Sequence, residues 1–154
     1  ICYNLPDEWA GERYKGSWQP GSKVSGAGGC PKFPTFGDNP QYGFTVSEAT
    51  EVMIQVTQGD NRWQFNNAKY TSAVGFCLMT LTGDKKRCHK FHPKKMAGMS
   101  RTFAPMRSVA GRFTLKPGRY AVVPCTFKPQ TEETFYCVEL YTSVPVELAV
   151  GGAE

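Results

Sequence analysis

The 154 residues include only two histidines, and no apolar run approaches the roughly 20 residues a transmembrane helix needs. Any membrane contact is therefore expected to be peripheral. The chain opens at Ile1 with no initiator Met, no basic leader and no apolar segment behind it. No secretory signal is legible, and the sequence is expected to be a piece of a longer polypeptide. Acidic residues are few and scattered: Asp7 with Glu8, Glu48 with Glu51 and Glu132 with Glu133 are the closest sets, and no Asp-x-Asp occurs. A calcium site needs several carboxylates converging on one point, so the residues predict none. Internal repeats, low-complexity tracts and a convincing helical period are also missing, which argues against a helical body.

What is present is alternation. In residues 109–141, Phe113 and Leu115 share one face before Leu115-Lys116-Pro117-Gly118 reverses the chain, because Pro presets φ for a turn and Gly tolerates positive φ. Residues 119–126 set Tyr120 and Val122 against Ala121 and Val123, and residues 134–141 set Tyr136, Val138 and Leu140 against Phe135, Cys137 and Tyr141. This pattern predicts a β-meander. Upstream, Tyr42, Phe44 and Val46 alternate, a turn follows at 47–50, and Val52, Ile54 and Val56 face one way, a predicted hairpin. Residues 74–82 are apolar on both faces, as a central strand is written. Weaker strand signals lie at residues 1–5, around Trp63 and Phe65, around Phe103 and Met106, and at 144–150, where Pro145 marks an edge. Residues 6–26 show no clear period, and 21–40, rich in Gly and Pro, read as a long ordered loop. About eight short strands predict one all-β domain, an antiparallel β-sandwich with its own core.

The run Phe113-x-Leu-x-Pro-Gly-x-Tyr-x-Val-Val-Pro-x-Thr-Phe-x-Pro129 resembles the second half of the C2-like β-sandwich domain of calpains, which are intracellular cysteine proteases. Gly16-Ser17-Trp18, Ala27-Gly28-Gly29-Cys30, Thr35-Phe36, Asn39-Pro40-Gln41-Tyr42 and Val74-Gly75-Phe76 match the same domain in order, so the resemblance spans residues 15–143. It implies a C2-like fold and a non-catalytic regulatory, docking and stabilising module of a multidomain cytoplasmic protease. Calpain sandwich domains typically carry an acidic loop near their central strands, and this chain has a basic one there. Calcium is thus implied only by the resemblance, and no cofactor is expected. The missing acidic loop and the absence of an EF-hand pattern point to an atypical calpain of the PalB type.

Six cysteines, at 2, 30, 77, 88, 125 and 137, would suit a disulfide framework in a small secreted protein. Here Cys77 and Cys137 fall inside predicted strands among apolar neighbours, so reduced thiols in a cytosolic setting are expected. A thiol enzyme needs a nucleophile oriented against a base. Neither His89 nor His92 lies in a motif resembling the calpain base, and Cys30 falls where the resemblance places no catalytic residue. An independent thiol enzyme is the weaker alternative. The run Gly26-Ala27-Gly28-Gly29 lacks the strand, helix and Lys-Ser/Thr that a phosphate cradle requires. Cys88-His89-x-x-His92 gives three close ligand types with Cys77 as a distant fourth, which does not fit common zinc spacings.

Charge is the remaining signal. Residues 83–95 hold six basic residues against Asp84, a local +5, and the rest of the chain balances at 12 basic and 12 acidic. The candidate surface is the loop 83–96, with Lys85, Lys86, Arg87, His89, Lys90, His92, Lys94 and Lys95. Such density favours an anionic partner, here anionic phospholipid, an acidic protein, or neighbouring domains of the same polypeptide. Nucleic acid is not expected, since the loop offers only Phe91 and two histidines for stacking and the net charge is modest. The alternative is a solvated loop on a purely structural module.

Overall fold

The computed structural model describes residues 9–58, 73–100, 103, 108–130, 133–146 and 149–150. Among them nine strands form two antiparallel sheets: β1 (Ala10–Trp18), β2 (Tyr42–Val46), β3 (Thr50–Gln58), β4 (Val74–Leu81), β5 (Met96–Met99), β6 (Ser108–Leu115), β7 (Gly118–Thr126), β8 (Thr134–Thr142) and β9 (Ala149–Val150). The first sheet runs β1-β8-β3-β6 and the second β5-β4-β7-β2-β9. The expected all-β antiparallel sandwich is what the chain forms. Its helical content among the described residues is two short 3-10 turns, at Phe36–Asp38 and Pro93–Lys95.

The alternation in the sequence decides which side chains lie between the sheets. Val52, Ile54 and Val56 of β3, Phe76 and Leu78 of β4, Tyr120 and Val122 of β7, and Tyr136, Val138 and Leu140 of β8 meet in one core cluster. Full burial of side chains this size is worth about 1.5–3 kcal/mol each. Trp18 is fully buried and crosses the sandwich, its indole N–H donating to Pro124 O at 3.0 Å.

Two connections differ from the sequence expectation. The predicted meander over 109–141 is not one: β6 pairs with β3, β7 pairs with β4 and β2, and β8 lies between β1 and β3. The predicted hairpin is likewise split, β2 joining the second sheet and β3 the first. In both places the turn does reverse the chain, but it carries it across to the opposite sheet. Two consecutive strands that each have an apolar face can bury it by stacking face to face as well as by lying edge to edge, and here they stack.

Strand β1 was not legible, although it pairs along its whole length with β8. Its inward positions are Ala10, Glu12, Tyr14, Gly16 and Trp18, too mixed to read as an apolar face. Gly16 is required where it stands, since a Cβ there would lie 2.6 Å from the Tyr136 hydroxyl. That hydroxyl is hydrogen-bonded to Tyr42 at 2.7 Å inside the core, and burial together with Tyr42 pushes the Tyr136 phenol far above its ordinary range. Of the edge strand predicted over 144–150, only Ala149–Val150 form a described strand, β9, which borders β2, and Pro145 lies outside it. The signals at residues 1–5, Trp63, Phe65, Met106 and Leu148, and Cys2, lie outside the described residues.

Strands β4 and β7 are apolar on both faces for a reason the sequence pattern does not specify. Their outer faces, with Cys77, Met79, Val123 and Cys125, form a second buried cluster with Phe36 and Cys88, which belong to connections rather than to strands. Phe36 meets Phe91 edge-on, ring centres 5.7 Å apart. The two long connections, 19–41 and 82–95, thus act as a third layer over the second sheet.

Replacing Ile54, fully buried in the central core, with Ala is expected to lower unfolding free energy by about 2–5 kcal/mol. Phe135, which is 63% exposed, should tolerate Ala within about 0.5 kcal/mol. Urea titration of both variants measures the contrast.

Candidate anion-binding site

The segment leaves β4 after Leu81, turns at Gly83, where φ is +61°, and then separates its cations into two sets. Arg87 points inward and is 1% exposed. Its Nη2 donates to Gly37 O at 2.8 Å and Asn39 O at 2.7 Å, and its Nη1 to Val24 O at 3.4 Å. Arg87, counted from sequence among the surface cations, is therefore withdrawn from that surface, because its planar fork fits converging backbone carbonyls. Burial pulls its guanidinium below the usual arginine range, and the nearby Asp38 carboxylate opposes that pull.

Around Arg87 the two connections are locked by amide side chains. Gln41 donates to Cys88 O at 2.7 Å and accepts from Cys88 N at 2.6 Å. Asn39 accepts from Gly28 N at 3.0 Å and donates to Gly29 O at 2.8 Å and Phe36 O at 3.0 Å. A Cβ on Gly37 would sit 1.9 Å from His89 O, and one on Gly28 equally close to Thr35 O. The glycine run at 26–29 is thus a packing device, with its Gly28 amide taken by Asn39.

Lys85, Lys86, His89, Lys90, His92 and Lys94 are exposed and Lys95 is half-buried. Lys95 closes the segment: its N–H donates to His92 O at 2.9 Å, and its carbonyl accepts from Thr80 Oγ1 at 2.6 Å. The fold brings Lys85, His89, Lys90, His92 and Lys95 around one open pocket of about 190 Å³, floored by Thr80, Leu81, Thr82, Arg87 and Cys88. Among the described residues Lys86 and Lys94 do not line it, nor does any carboxylate. Sequence reasoning missed Thr80, Thr82, Asn39 and Gln41; the block Asn39-Pro40-Gln41-Tyr42 marked the last two by resemblance but not by role.

The five described cysteines are all thiols. Cys88 donates to Lys90 O at 2.8 Å, and burial pushes its thiol up against the opposing pull of that bond and of Lys95, Lys85 and Arg87. Cys125, wholly buried beside Cys77, is raised well above the ordinary thiol range. A raised thiol is a poor nucleophile at neutral pH. Among the described residues no three His, Cys, Asp or Glu side chains converge on a metal-sized point, and no helix is long and apolar enough to cross a membrane.

Two stacked antiparallel sheets, with a pocket lined by basic residues in one long connection, define a β-sandwich domain. Residues 14–141 match the family "Calpain large subunit, domain III", a non-protease domain of calpains, and the chain belongs to that family. It is 32% identical to Calpain-A of Drosophila melanogaster over 83% of this chain and 17% of that protein. It is 29% identical to human Calpain-9 and to the chicken Calpain-2 catalytic subunit, in each case over 92% of this chain and 22% and 23% of theirs. The chain thus spans about a fifth of the length of the curated relatives it matches. Among solved structures, the pre-peptidase C-terminal domain of collagenase from Bacillus anthracis superposes with a TM-score of 0.51 at 16% identity, covering 84% of this chain and 87% of that one, a likeness of fold.

Arg87→Ala leaves buried carbonyls without a donor and is expected to lower stability by about 3 kcal/mol or more. Arg87→Lys should not restore it, because an ammonium cannot reproduce the fork. Lys94→Ala should stay within about 0.5 kcal/mol in the same urea titration. Iodoacetamide should modify half-buried Cys137 well before Cys77 or Cys125, an order read by peptide mass spectrometry.

Proposed function

We propose that the chain is the regulatory and docking domain of a cytoplasmic calpain-type cysteine endopeptidase, and that it contacts anionic phospholipid through residues 83–96. The observation that supports this reading is the sorting of charge. Arg87 is spent inside, while Lys85, Lys86, Lys90 and Lys94 are displayed on one connection with half-buried Lys95 beside them. Each lysine near an anionic surface is worth about 1 kcal/mol, so five of them, offset by Asp84, give about 4 kcal/mol. That corresponds to a dissociation constant of about 1 mM. The segment therefore assists attachment, and neighbouring domains of the same polypeptide raise the overall avidity.

The chain is expected to pellet with phosphatidylserine vesicles at low salt and to be released as salt screens the charges. Changing Lys85, Lys86, Lys90, Lys94 and Lys95 together to Gln should abolish pelleting. Pelleting that survives these changes assigns the contact to another surface, and no pelleting of the unaltered chain overturns the lipid reading in favour of an acidic protein partner or a purely structural role.

A further inference from the structure

A two-sheet sandwich has edge strands, and the edges of this one are not equally protected. In the second sheet, β5 is four residues long with a register shift against β4, and β9 is described over two residues. Short and irregular edges are poor templates for another chain. In the first sheet both edges are long. β1 pairs with β8 over nine residues and β6 with β3 over eight, each without a register shift and without Pro. Among the described residues neither has a partner strand on its outer side.

Charge separates the two. β1 carries Glu12, Arg13 and Lys15 at its middle. Were β1 to meet its own copy about a two-fold axis, every register centred from Glu12 to Lys15 would oppose Arg13 with Arg13 or Lys15, Glu12 with Glu12, or Lys15 with Lys15. Like charges directly opposite are destabilising, so this edge is closed to itself. β6 holds a single charge, Arg112, and its first four residues, Ser108, Val109, Ala110 and Gly111, are half-buried. Arg112 is drawn across the outer face of the sheet, donating to Glu51 at 3.3 Å with its Cζ 5.0 Å from the centre of the Trp9 ring.

We propose that β6 pairs antiparallel with β6 of a second copy of this chain about a two-fold axis at Gly111, so that the two β1-β8-β3-β6 sheets become one. The side chains select that register. On the inner face Val109 of each copy meets Phe113 of the other, an aromatic opposite a β-branched residue. Gly111 meets itself, where the Phe113 and Phe76 rings already fill the place of a Cβ. On the outer face Arg112 meets Ala110 and Thr114 meets Ser108, with no like charges opposed. Moving the axis to Arg112 would set Arg112 against itself, and moving it to Ala110 would leave Phe113 opposite a position beyond the end of β6. The interface is isologous and closes as a dimer. A strand edge buries less than the roughly 800 Å² per partner of a standard interface, so the dimer is weak. It uses none of residues 83–96 and is independent of the lipid reading.

Sedimentation equilibrium of the 154-residue chain, from about 10 µM to 1 mM as a weak interface requires, is expected to show a monomer–dimer equilibrium. Ala110→Glu places a carboxylate opposite Arg112 on both sides of the axis and is expected to tighten the dimer about threefold or more, and Ala110→Lys to loosen it by a similar factor. Ala110 lies on the outer face opposite Gln55, so both changes spare the core, and circular dichroism checks each fold. Should the lysine variant not fold, cross-linking decides: under mild copper-phenanthroline oxidation Ser108→Cys/Thr114→Cys is expected to give a covalent dimer beyond the level of the unaltered chain, and either single change is not. A chain that stays monomeric throughout that range, a dimer that the Ala110 variants leave unchanged, or single cysteines that cross-link as well as the pair, overturns the pairing.

Discussion

The buried guanidinium of Arg87 is the constraint on which the outer layer of the molecule depends. Removing a charged group from water costs several kcal/mol, and the cost is met only where hydrogen-bond acceptors converge. Here they are the carbonyls of Val24, Gly37 and Asn39, all in the connection between β1 and β2. That connection must therefore fold back over the second sheet before Arg87 can be accommodated. Gly37 allows the approach because no side chain stands between it and the His89 carbonyl. With both connections fixed, Phe36 and Cys88 cover Cys77, Met79, Val123 and Cys125, and β4 and β7 can be apolar on both faces without exposing either.

Between the sheets the organising contacts are of a different kind. Trp18 spans from β1 to the carbonyl of Pro124 on β7, and the hydroxyls of Tyr42 and Tyr136 bond across the gap, so each sheet supplies polar atoms that only the other can satisfy. Burying such groups without partners is costly, which ties the relative placement of the sheets to more than apolar area. Gly16 shows the local consequence: a strand position gives up its side chain so that the tyrosine pair can meet.

These arrangements explain how much of the molecule could be read from the chain. Period-two alternation reports which side chains share a face: it groups Val52 with Ile54, Tyr120 with Val122 and Tyr136 with Val138, and those are the faces that meet in the core. It does not report the neighbour, so β6, β7 and β8 read as a meander although they alternate between sheets. It also fails where an inward position is polar or vacant, as at Glu12 and Gly16 of β1. Within the candidate site, the concentration of cations was legible from counting, but the inward turn of Arg87 was not. It depends on carbonyls nearly 50 or more residues earlier in the chain, and nothing local to Lys86-Arg87-Cys88 specifies it.

The sorting of that one arginine from its neighbours bears on how selective the exposed cations can be. A lysine on a freely moving loop loses rotamer and backbone freedom when it binds, and that loss offsets much of the gain from each contact. Here the backbone at residues 87–88 is already fixed by Arg87 and Gln41, and that at Lys95 by the Thr80 hydroxyl. Lys85 and Lys90 flank the first anchor by two residues on either side, and Lys95 carries the second. The ordering cost was therefore met largely during folding, which is the condition for a charged patch to recognise one geometry of anion over another of equal charge. Lys86 and Lys94 do not line the pocket, so the cations of one short connection fall into two sets, one around a concavity and one outside it.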